Sequence, residues 1–147
     1  MSPGRLISRN RRGAAMVETA IVLPIFLILV LGIIEFGRAL MVANMVTNAA
    51  REGARMAILD GSTNSEVQQS VSEFLVASLG VQTADITTTI TIVPAPGNTN
   101  PNNQTADAQS RDLITVRVEV PFDKVALIPG DYLSGKKLTG LCAMRHE

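Results

Sequence analysis

The chain has 147 residues, 46% of them hydrophobic and 18% charged, and its 13 basic and 13 acidic side chains cancel to a formal charge of zero. That balance excludes a generally basic surface for nucleic acid, the single cysteine Cys142 excludes an intramolecular disulfide, and the single histidine His146 leaves no converging ligand set for a metal. No phosphate-cradling glycine loop, nucleophile elbow or HExxH occurs, and the acids Asp85, Asp107, Asp112, Glu119, Asp123 and Asp131 are scattered, so neither an enzyme nor a cofactor is expected.

The first segment, residues 1–13, is a basic leader with Arg5, Arg9, Arg11 and Arg12 and no acid. Behind it Ala14 to Ile34 carries one charge, Glu18, and as a helix it would be about 31 Å long, the thickness of a bilayer core. Ile21 to Ile34 is apolar on every face, unlike a buried soluble helix, which keeps a polar stripe. The excess of arginine before the run keeps the N-terminus cytoplasmic and places the rest outside the cytoplasm. No small-x-small cleavage site follows Ile34, so the run reads as a retained anchor rather than a secretory signal.

Two features stand out inside the run. Pro24 removes one helical hydrogen bond and is expected to bend the helix. Glu18 is costly in an apolar segment. One reading has it reaching the headgroups or pairing with Arg11 or Arg12. The other has a peptidase cutting after Gly13, leaving a new amino group on Ala14 and a carboxylate one turn along, which a neighbouring copy's cationic N-terminus could meet. Removing residues 1–13 would leave a net charge of about −4.

Beyond Ile34 the helix is expected to become amphipathic, with Phe36, Leu40, Ala43, Val46, Ala50, Ala54 and Ala57 on its apolar face and Asn44, Asn48, Arg51, Glu52 and Arg55 on its polar one. The alanines from Ala49 to Ala57 should let a head domain, residues 61–147, pack closely on this helix, residues 14–60. Arg51, Glu52 and Arg55 read either as a partner-binding cluster or as a solvated face with ion pairs into the head. Asp60-Gly61 supplies the stop.

Thr63-Asn64-Ser65-Glu66 fits a capping box for a short helix with Val67, Val71, Phe74, Leu75 and Ser78 on one face, ending at Gly80. Ile86 to Ile92 and Leu113 to Val120 alternate as two strands, expected to be antiparallel neighbours. The stretch Pro94 to Arg111, rich in Pro and Asn, is expected as a long mobile loop, read either as a linker or as a contact point. Lys124 to Gly135 reads as an irregular crossover with a turn at Pro129-Gly130, and Leu138 to Met144 as a last strand holding Cys142 as a buried side chain. His146 is expected to fray. The head is therefore α+β: a short helix on a three- or four-stranded antiparallel sheet, behind a long N-terminal transmembrane helix.

The motifs Arg12-Gly13-Ala14-Ala15-Met16-Val17-Glu18-Thr19-Ala20, Leu23-Pro24, Ile34-Glu35-Phe36-Gly37-Arg38 and Ala49-Ala50-Arg51-Glu52-Gly53-Ala54-Arg55, with Ala143-Met144-Arg145 near the end, resemble TadE-like proteins. These are pseudopilins or minor pilins of the Tad (Flp, type IVb) pilus system. The resemblance is dense over residues 11–59 and loose beyond. It implies cleavage between Gly13 and Ala14 by a prepilin peptidase, with Glu18 as the recognised carboxylate, and a pilin-like head. It also implies a single-pass protein of the bacterial inner membrane whose partners are other pilin and pseudopilin subunits, the inner-membrane assembly platform and membrane lipids, with no nucleic acid. Major Flp pilins carry an aromatic after that glutamate, where this chain has Thr19, and they are much shorter, which favours an accessory subunit. The alternative is an unprocessed, membrane-anchored exported binding module that keeps residues 1–13.

Overall fold

The computed structural model describes residues 11–127 and 135–147; the turn expected at Pro129-Gly130 and residues 1–10 of the leader lie outside the described residues. In chain order the elements are helix α1 (Arg11–Ala57), helix α2 (Asn64–Leu79) and strands β1 (Thr87–Val93), β2 (Leu113–Pro121) and β3 (Lys137–Arg145), with 3-10 turns at Thr83–Asp85, Thr105–Asp107 and Phe122–Lys124. The chain divides into two compact units, one ending at Ile34 and one running from Glu35 to Glu147.

In the first unit the large side chains from Met16 to Ile34 face solvent in the isolated chain, with exposures from 42% at Leu31 to 73% at Met16; Val30 alone among them is half-buried. This is the only helix among the described residues long and apolar enough to cross a membrane.

The second unit is α+β, with a three-stranded antiparallel sheet in the order β1-β2-β3. Alternation creates its core: Ile90 and Ile92 of β1 and Ile114, Val116, Val118 and Val120 of β2 turn to one face, and the last four are fully buried. Each such burial is worth about 1.5–3 kcal/mol. The register pairs Ile90 with Val116 and Val116 with Cys142, so the central strand is β2. Cys142 is half-buried at the edge of this core.

Two glycines set how closely the helices lie on the sheet. A β-carbon on Gly140 would fall 2.5 Å from the Val46 carbonyl oxygen and 2.7 Å from the Thr47 nitrogen, so β3 touches the α1 backbone directly. A β-carbon on Gly53 would meet Val71 Cγ2 at 2.7 Å and Val116 Cγ1 at 3.3 Å, where α1, α2 and β2 converge. Ala49, Ala50, Ala54 and Ala57 are fully buried beside Gly53, as the small-residue run requires.

Farther up α1 the buried face differs from the expected one. Ala39, Val42 and Val46 are buried together with Glu35, while Phe36 and Leu40 are 62% and 65% exposed. Between residues 33 and 42 apolar side chains occur on all sides, so spacing does not select a face there. Of the apolar side chains there, only the short ones of Ala39 and Val42 are buried against the rest of the unit.

Helix α2 begins as expected. Thr63 Oγ1 accepts from the Glu66 N–H at 3.4 Å, and the Glu66 carboxylate accepts from the Thr63 N–H at 2.9 Å. The Thr63 backbone and hydroxyl hold the Glu66 carboxyl below its ordinary value. Gly80, in the left-handed region at φ +70°, caps the far end. Val67, Val71 and Leu75 are buried, but Phe74 and Ser78 are exposed: the four-residue row 67-71-75 takes the sheet, and Phe74 lies one residue, about 100°, off that row.

The segment expected as a mobile loop is held by hydrogen bonds instead. Asp112, fully buried, accepts from the Ala95 N–H at 2.8 Å, the Asn98 amide at 2.7 Å and the Gln109 N–H at 2.9 Å. The Asn64 side chain joins α2 to the same loop, accepting from the Thr105 N–H at 2.9 Å and donating to the Asn103 carbonyl at 2.8 Å. Asn102, Asn103 and Arg111 sit at positive φ, a conformation asparagine tolerates better than most residues. His146 does not fray: it is 6% exposed, its N–H donates to the Asp112 carbonyl at 2.9 Å, and its carbonyl accepts from the Arg111 N–H at 2.8 Å.

Candidate functional site: the long helix

The residues that carry the candidate chemistry lie along α1. Gly13, Ala14 and Glu18 are exposed, and each lies in continuous helix, with Glu18 about 6 Å of axial rise beyond Ala14. A β-carbon on Gly13 would meet nothing within 4 Å. Among the described residues Glu18 has no ion pair; the pairing with Arg11 or Arg12 expected from sequence rests on side chains that lie outside the described ones.

Thr19 satisfies its own hydroxyl, which donates to the Ala15 carbonyl at 2.9 Å and so removes a free donor from an apolar surface. Shallow hollows flank it, one lined by Glu18, Val22, Leu23 and Phe26 and the other by Ala15, Met16, Ala20 and Leu23. A polar hydroxyl folded against the backbone leaves a small side chain between these hollows. Pro24 stands inside the helix, which continues unbroken through it; the Ala20 carbonyl loses its usual donor there.

Arg51, Glu52 and Arg55 are exposed at the far end of α1. Arg51 Nη1 donates to Asn48 Oδ1 at 3.3 Å, and no ion pair joins the three to the rest of their unit among the described residues. Glu52 and Arg55 line a shallow hollow with Met56, Ile58 and Leu59. The chain thus brings together Gly13, Ala14 and Glu18 within two helical turns and leaves Arg51, Glu52 and Arg55 as a separate group.

Some polar groups were not singled out for a role from sequence. Glu35 is 4% exposed, and its Oε2 finds no hydrogen-bond partner among the described residues. Arg38, one turn on, donates from Nε to the Val125 carbonyl. Their signal was a charge pair at i and i+3 directly after an apolar run. Asp112 gave none, because its partners come from Ala95, Asn98 and Gln109, each set by a loop conformation. Burial alone would raise the Asp112 carboxyl; the hydrogen bonds from Gln109, Ala95 and Asn98, aided by His146, outweigh it and hold the group below its ordinary value. His146 Nε2 lies 3.5 Å from Asp60 Oδ1, an ion pair when the ring is protonated.

Searches of curated proteins and of solved structures gave no match. The family model described as TadE-like protein matches residues 13–55, which lie wholly within α1 and span both Glu18 and the Arg51–Arg55 cluster. The resemblance read from those motifs is borne out over this span of α1.

Proposed function

We propose that this chain is a minor pilin or pseudopilin of a Tad (Flp, type IVb) pilus. It is inserted in the bacterial inner membrane with its N-terminus cytoplasmic, is cut after Gly13 by a prepilin peptidase, and takes part in pilus assembly or initiation through its N-terminal helix. The observation that carries this reading is the coincidence of the TadE-like match with a helix whose stretch from Ala14 to Ile34 exposes its large apolar side chains all round and holds one acid, Glu18.

The physical logic runs from that acid. A lone carboxylate on an apolar helix is tolerated near a membrane face but costs about 2.5–3.5 kcal/mol at mid-bilayer. Lateral packing against other helices of a pilus would carry Glu18 away from headgroup water. A cationic N-terminus on a neighbouring subunit then offsets the cost, and only cleavage at Gly13 creates such an N-terminus at Ala14. The exposed hollows beside Glu18 and Thr19 leave room for that neighbour.

The test is the N-terminal residue of the native protein, read by mass spectrometry from membranes with and without the prepilin peptidase. Ala14 as the first residue, only when the peptidase is present, is the expected result. An intact leader in both strains overturns the proposal and leaves an anchored binding module. As a second check, Glu18→Ala is expected to abolish pilus incorporation while membrane insertion continues.

A further inference from the structure

The sheet of the second unit has two edges, and they are treated differently. The β3 edge carries Lys137 and Arg145 at its ends, with Lys137 paired to Glu119 at 3.3 Å. Charges of this kind prevent strand addition. The β1 edge, Thr87–Val93, reads TTTITIV: no charge, no proline, and seven unbroken pairs with β2 that leave no bulge. Neither a charge, a proline nor a bulge protects it.

The register shows which groups are open. The Ile92 N–H points away from β2, because it donates to Asn103 Oδ1 at 2.8 Å. By the two-residue alternation of an antiparallel ladder, Thr88 and Ile90 direct their N–H and C=O groups the same way. Asn103 closes the edge at Ile92, and before the strand the Ile86 N–H is used by the Thr83 carbonyl at 3.2 Å. Thr88 and Ile90 are left, with no hydrogen bond to these outward groups among the described residues. Beside them runs an open groove whose walls are Gln68, Ser72 and Val76 of α2 and Ile86 and Thr88 of the edge. The Thr88 hydroxyl is buried without a partner among the described residues.

We infer that this edge pairs antiparallel with the same edge of a second copy of the chain, with Thr88 of each copy opposite Ile90 of the other. The open groups select both the occupant and the register. Two residues on each copy offer one donor and one acceptor apiece, and a two-fold axis at Thr89 satisfies all of them in two reciprocal pairs without disturbing the Asn103 cap. No like charges meet, since the strand has none, and threonine faces threonine across the axis. The result is a continuous six-stranded sheet. The pairing lies within the second unit and is independent of cleavage at Gly13.

Cysteine trapping in the full-length chain in native membranes tests this, on a Cys142→Ser background. Thr89 is exposed and would lie opposite its own copy at a non-hydrogen-bonded position, with Cα atoms about 4.5 Å apart, within disulfide range. Thr89→Cys is expected to yield a disulfide-linked species at twice the monomer mass upon oxidation. Thr91→Cys alone should not, because the two copies of residue 91 would be about 14 Å apart along the strands. Coexpressed Thr87→Cys and Thr91→Cys chains should link to each other. Absence of the Thr89→Cys dimer overturns the inference, as does equal trapping at the exposed β3 position Thr139→Cys, failure of the mixed pair, or linkage only to a different protein.

Discussion

Helix α1 is continuous, yet its two stretches obey different rules. From Gly13 to Ile34 large side chains are exposed on all sides, and no tertiary partner is needed to explain any of them. From Glu35 to Ala57 the buried positions include Ala39, Val42, Val46, Ala49, Ala50, Gly53, Ala54 and Ala57, where size matters more than hydrophobicity. The first stretch is built to meet a solvent or other helices that are equally apolar. The second is shaped by the sheet and α2, and most of its buried side chains are short enough to admit them. Glycine and alanine therefore do most of the packing in the second stretch.

Substitutions should separate the two stretches sharply. The largest effect is expected from Gly140→Val, whose β-carbon would collide with the α1 backbone at Val46 and Thr47, neither of which can swing aside. A loss of about 3 kcal/mol or more follows, read as a lower thermal midpoint of the head in detergent-solubilised full-length protein. Next comes Leu75→Ala, which empties a fully buried site on α2 and should cost about 2–5 kcal/mol in the same melt. Leu27→Ala, at an exposed position of the first stretch, should leave that midpoint within about 0.5 kcal/mol. A comparable loss from Leu27→Ala would break the distinction between the two.

Asp112→Asn ranks below Leu75→Ala, with a loss of about 1–3 kcal/mol at neutral pH, because an amide has one oxygen and cannot accept from Ala95, Asn98 and Gln109 on both sides as the carboxylate does. The pH dependence has a definite sign. The folded carboxyl lies below its ordinary value of 3.8, so its contribution is present above that value and is lost as pH falls through the lower folded one. Unfolding curves of the native and Asp112→Asn proteins should therefore converge on acidification below pH 3.8. A smaller loss than that of Asp112→Asn is expected from Thr63→Ala, which opens the capping box of α2 at a cost of about 1 kcal/mol.

Several parts of this molecule are legible residue by residue. The alternation of Ile114, Val116, Val118 and Val120 specifies a half-buried strand, and β2 is that strand. Thr63 and Glu66 form the capping box their spacing requires, and Gly80 ends the helix in the conformation glycine adopts most readily. Motif spacing in α1 was enough to give the TadE-like resemblance, because that signal lies in one unbroken helix where sequence separation translates directly into position. Arg51, Glu52 and Arg55 are exposed, but the ion pairs into the head that one reading supposed are absent among the described residues.

Local and periodic features followed from the order of residues alone: a helix of membrane length, a second capped helix, and alternating strands. Each rests on interactions between residues a few positions apart, whose geometry is fixed by helical or pleated repeat. Packing against the sheet chose which face of α1 is buried between Glu35 and Val46, since apolar side chains occupy both faces there and the choice depends on what the sheet can accommodate. Folding likewise pinned residues 94–112 and enclosed His146, because Asp112 gathers donors from Ala95, Asn98 and Gln109 and joins the chain's last residues to the start of β2. Hydrogen bonds between segments brought together by folding leave no period in the sequence, and so their partners become visible only once the backbone has closed around them.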